Sequence, residues 1–82
     1  MHNSQAVDLH DLEAYWKSRK LVDERHLSYY IRWVQRFLAG PGGDSRLSEQ
    51  DAQTVFVEHL DRRGDVPEWQ VRQAARAVEL FQ

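Results

Sequence analysis

Four side chains between Asp23 and Ala39 recur at three- and four-residue steps: Arg25, Tyr29, Arg32 and Arg36. On an α-helix this spacing puts them on one face. A guanidinium is a permanent cation whose planar fork of N–H donors matches oxyanions. The face is therefore a basic, partly aromatic stripe offered to something outside the domain. Trp69, Arg72, Gln73 and Arg76 form a second such set near the C-terminal end. Lys17, Arg19 and Lys20 form a third, at the end of the first predicted helix, where interaction with the helix dipole accounts for them equally well.

Catalytic chemistry has no comparable constellation. The histidines are His2, His10, His26 and His59; no two stand at i, i+4, and no H-E-x-x-H occurs, so no metal site is expected. His59 falls on an apolar helix face and reads as a core or boundary histidine. There is no cysteine and no G-x-S-x-G, which removes the thiol and nucleophile-elbow routes. The carboxylates are spread over solvent faces, where nothing desolvates one into a general acid. The expectation is a non-catalytic chain without cofactor or metal.

The elements that position the basic residues are all helical. Asp8 is the expected N-cap of a first helix over about 8–19, with Leu9, Leu12 and Trp16 as its apolar stripe and Tyr15 on its flank. Met1–Val7 reads as a disordered lead-in. Asp23 caps a second helix over about 24–39, whose inner face is Leu27, Tyr30, Ile31, Val34, Phe37 and Leu38. The run Gly40-Pro41-Gly42-Gly43-Asp44-Ser45 stops it, and its three glycines predict the most mobile internal segment. A phosphate-cradling role would require a flanking strand and a P-loop lysine, and the sequence has neither.

Ser48, with Asp51 three residues on, opens a third helix over about 48–63. Its predicted inner face is Ala52, Val55, Phe56, His59 and Leu60, and it closes on Arg62, Arg63 and Gly64. Asp65 opens a fourth helix over about 66–82, with Pro67 in its first turn. Val71, Ala74, Ala75, Val78 and Phe81 form its core stripe, bordered by Ala77. That pattern runs to Gln82 without a cap, as expected where a longer protein would continue. The result is a single all-α domain: a small four-helix orthogonal bundle with no strand.

Bulk properties agree. Eighty-two residues, 41% hydrophobic and 29% charged, with nine aromatic rings, suit one small folded domain. The net charge of −2 counts against a strong non-specific polyanion binder, but leaves room for a one-sided basic face. The absence of cysteine, of a basic and apolar leader, and of any apolar run near ~20 residues predicts a soluble, cytoplasmic chain with no membrane partner.

Three stretches carry a resemblance. Tyr30-Ile31-Arg32-Trp33-Val34-Gln35-Arg36-Phe37 is similar to the aromatic–basic helix of the N-terminal SAM-like, core-binding domain of tyrosine recombinases, the phage and integron integrase family. Val55-Phe56-Val57-Glu58-His59-Leu60 matches that domain's next helix. Gln70, Arg72, Ala74, Ala75, Ala77, Val78 and Phe81 occupy the places of its last. The resemblance covers about residues 9–82.

It implies double-stranded DNA as partner, neighbouring recombinase protomers assembled on that DNA, and an isolated domain that is monomeric. It also implies a catalytic domain following Gln82, so that Tyr15, Tyr29 and Tyr30 are not the nucleophile. The DNA-binding residues it implies are Arg32, Arg36, Arg72, Gln73 and Arg76, with Lys17, Arg19, Lys20 and Arg25 as phosphate contacts. Arginines would grip phosphate or guanine, and glutamine would read adenine. The rival expectation is a helical protein–protein module docking a partner through exposed Trp33, Trp69 and Leu80. A clustered basic face favours the first. Arginines paired to acidic neighbours beside an apolar patch favour the second.

Overall fold

The structure, a computed structural model, describes residues 9–82; the lead-in of residues 1–7 and the Asp8 cap lie outside them. The described residues form four α-helices and no strand: α1 (Leu9–Arg19), α2 (Glu24–Ala39), α3 (Glu49–Arg63) and α4 (Glu68–Phe81). A short 3-10 turn, Pro41–Gly43, follows α2. No described helix is long and apolar enough to cross a membrane.

Each helix end has an identifiable device. Asp23 accepts a hydrogen bond from the Arg25 N–H at 2.9 Å and Ser48 one from the Asp51 N–H at 3.0 Å, each satisfying a first-turn donor that the helix leaves unpaired. α1 ends in two reversed hydrogen bonds, Leu21 N–H to the Trp16 carbonyl and Lys20 N–H to the Lys17 carbonyl. This Schellman closure requires the left-handed conformation at Lys20, with φ of 55°. Gly64 takes the left-handed conformation (φ 75°) at the end of α3. α4 differs from expectation: Asp65 does not cap it. Pro67 occupies the cap position with no side-chain hydrogen bond, its carbonyl accepting from Gln70 and Val71, and Asp65 turns back to Arg63.

Neighbouring helices pack in the order α1, α2, α4, α3, with the 3-10 turn bridging α2 and α3. The Cα envelope measures 35 × 33 × 17 Å, a slab. At its centre Phe37 and Phe56 meet edge-on with ring centres 5.4 Å apart, flanked by Trp33 and Phe81. Trp16 carries α1 onto this core, edge-on to Tyr30 at 6.4 Å. Ala74 and Ala77 of α4 are wholly buried; their small side chains permit close approach of helix backbones. Ala77 belongs to the core itself, not to its border.

Two expectations about faces are corrected. On α3 the buried residues are Ala52, Phe56 and Leu60, with Val57 half-buried against them. Val55 and His59 are exposed and border a shallow groove with Arg36, Gly40 and Pro41. The inner stripe is thus turned by about one residue toward the α4 side, where Val57 and Ala75 share a seam. On α2, Trp33 is buried, not exposed, and Leu80 of α4 is half-buried against the core.

The glycine-rich run has a steric role. A Cβ on Gly42 would collide with the Phe37 ring and lie 2.8 Å from the Phe37 carbonyl oxygen; one on Gly43 would strike the Leu38 carbonyl oxygen. These glycines let the turn press against the end of α2.

Candidate nucleic-acid interface

The periodicity of α2 that buries Leu27, Val34 and Phe37 turns its polar stripe toward the first half of α4. Between the two helices lies an open groove of about 760 Å³, within the roughly 300–1,000 Å³ of ligand clefts. From α2 come His26, Tyr29, Arg32, Trp33 and Arg36; from α4 come Trp69, Gln70 and Gln73. The lining holds two arginines, a histidine, three aromatic rings and two amides. No carboxylate is among these residues, although the chain is acidic overall.

The floor is fixed by a hydrogen bond from Trp33 Nε1 to Gln73 Oε1 at 2.9 Å. An indole N–H only donates, so the Gln73 carbonyl must be the side facing Trp33. Gln73 was expected to read adenine. Its carbonyl is instead engaged by Trp33, and its Nε2 has no hydrogen-bond partner among the described residues. Arg36 lies over the Trp33 ring, its guanidinium carbon 5.3 Å from the centroid, a cation–π contact that orients it. Arg32 makes no ion pair among the described residues. At the rim, Trp69 is 58% exposed and Tyr29 52%.

Of the nine residues singled out from sequence, the groove gathers three: Arg32, Arg36 and Gln73. The others are elsewhere or otherwise engaged. Arg25 forks onto Asp23, Nη2 to Oδ2 at 3.1 Å. Arg72 pairs with Glu68 at 3.3 Å and Arg76 with Glu79 at 3.8 Å. Arg19 covers the Tyr15 ring at 5.4 Å. Lys17 lines a separate α1–α2 groove beside Glu13 and Glu24, and Lys20 holds the helix-closing turn. His26 and Gln70 were not foreseen in the site. For His26 the signal was present, since it stands three residues before Tyr29 and six before Arg32.

Three carboxyls are held below the ordinary aspartate value. Asp23, Asp44 and Asp65 are each lowered first by a side-chain hydrogen bond from an arginine two residues away, Arg25, Arg46 and Arg63 respectively. The more distant charge of Arg36 also lowers Asp65 slightly. All three pairs are exposed, where such contacts contribute little. Among the described residues no group of three His, Asp or Glu side chains is placed to hold a metal ion.

No family model, curated protein or solved structure matches the chain.

Proposed function

We propose that the domain is the DNA-binding, core-binding part of a site-specific tyrosine recombinase or integrase, clamping recombination-site DNA while a separate catalytic domain carries out strand exchange. The observation that supports this most is the α2–α4 groove, which concentrates Arg32, Arg36 and His26 without a lining carboxylate on a chain of net charge −2. Such segregation attracts a polyanion to one face only. On this reading the domain supplies no catalytic residue, and Arg32 and Arg36 are its principal phosphate contacts.

The test is a titration of the isotope-labelled domain with short duplex DNA, followed residue by residue by NMR at low and moderate salt. The expected result is a cluster of shifts at Arg32, Arg36 and the start of α4 that fades as salt rises, as counterion release requires. Silence at low salt, where electrostatic binding is strongest, would overturn it.

A second reading has its own support. Arg25, Arg72 and Arg76 are already paired with acidic neighbours and Trp69 stands exposed, as in a helical module that docks a protein partner. It predicts no response to duplex DNA at any salt.

A further inference from the structure

We infer that the α2–α4 groove takes a single strand of DNA, with unpaired bases stacked on its exposed rings and the free amide donor of Gln73 bonded to a base edge. The inference rests on the nucleic-acid reading above and adds to it: strand exchange releases strands from their duplex beside the clamp.

Three observations carry it. The first is the pairing of cations with exposed rings. Trp69 and Tyr29 are each more than half exposed at the rim, and Arg32 and Arg36 line the same groove. Single-strand sites combine these parts, cations tracking the phosphates and aromatic faces stacking unpaired bases. Bases within a duplex are stacked on one another, so their faces are not offered to a tryptophan.

The second is the absence of lining carboxylates. A strand can lie along the groove without meeting like charge.

The third is a free donor. The Gln73 carbonyl faces the Trp33 N–H at 2.9 Å, so the part of this amide left without a partner is its N–H₂ donor. Every unpaired base offers such a donor an acceptor, a carbonyl oxygen or a ring nitrogen.

The protein contains its own reporter. Trp16 is wholly buried and Trp33 is 7% exposed, whereas Trp69 is 58% exposed, so stacking on Trp69 reads out as quenching of intrinsic fluorescence. The unlabelled domain is titrated at low salt with oligo(dT), oligo(dC) and poly-glutamate. A dye-labelled duplex is followed separately by anisotropy. Oligo(dT) and oligo(dC) should both quench. Trp69→Ala, an exposed change, should abolish the quench, and Gln73→Leu should weaken binding of both oligomers alike by about five-fold, the effect of one hydrogen bond.

Binding of duplex with no response to either oligomer would overturn the single-strand site and leave the duplex clamp standing. Quenching by oligo(dT) with no duplex binding would do the reverse. A response to poly-glutamate alone would overturn both and assign the groove to an acidic protein partner.

Discussion

Trp33 and Gln73, forty residues apart in sequence, are joined by one hydrogen bond of 2.9 Å that ties α2 to α4 at the floor of the groove. The other buried indole N–H, that of Trp16, has no partner among the described residues. The two tryptophans therefore differ in what their nitrogens contribute. In a cycle of Trp33→Phe and Gln73→Leu followed by urea unfolding, the two changes should couple by about 1 kcal/mol. Trp16→Phe paired with Gln73→Leu should show no coupling.

The glycines divide by mechanism. Gly42→Ala forces a methyl group against the Phe37 ring and carbonyl, and should destabilise by about 1–3 kcal/mol as overpacking does. Gly64 has open space around its Cα but a φ of 75°, so Gly64→Ala costs about 1 kcal/mol of backbone strain alone. Asparagine, which tolerates the left-handed region, should recover part of the loss at Gly64 and none at Gly42. Thermal or urea unfolding of the four variants separates the cases.

Lys20 holds the left-handed position that closes α1 with a residue poorly suited to it. Lys20→Gly should raise stability by about 1 kcal/mol. If duplex affinity at low salt falls in the same variant while stability rises, the lysine contributes charge to the DNA face at a cost to the helix end. Unchanged affinity confines it to the turn.

The arginine-bound carboxyls make stability depend on pH with a definite sign. Asp23, Asp44 and Asp65 are each depressed below 3.8 in the folded chain. Their contribution is therefore present in full above that value and is lost as pH falls through the lower folded values. Tm should be insensitive to these groups from pH 7 down to about 5 and fall below about 4. Asp23→Asn should flatten part of that acid slope.

Ion pairing predicts which arginines matter for DNA. Arg32→Ala should weaken duplex binding and lower the slope of log affinity against log salt by about 1. Arg72→Ala, whose charge already faces Glu68 at 3.3 Å, should do less on both counts. Equal effects would show that the Glu68 pair opens on binding.

Much of the fold was legible because the apolar residues of α2 recur with helical period and Asp23 and Ser48 are strong caps. The face of α3 was read one residue out: Val55 and Val57 flank Phe56 symmetrically in the sequence. Which of the two is covered depends on where α4 lies, a tertiary fact. Trp33 was misplaced for the same reason. It sits at the edge of the α2 stripe, and Phe56 of α3 and Gln73 of α4 pack onto it from elsewhere in the chain. The stripe of Tyr29, Arg32 and Arg36 was visible from spacing alone. The diversion of Arg25, Arg72 and Arg76 into local pairs was not, because rotamer choice, not helical periodicity, determines whether an arginine turns to its own neighbour or to a ligand.

The slab is 17 Å between Cα extremes through its thin direction, room for about two helix backbones at a packing distance of about 8–10 Å. With so few layers the buried side chains form one shared seam and not a deep centre set apart from a yielding shell. The aromatic cluster draws rings from α2, α3 and α4, so lifting any of these three helices wets it. Opening any one of α2, α3 or α4 therefore exposes apolar surface on the other two, and these three helices gain or lose their order together.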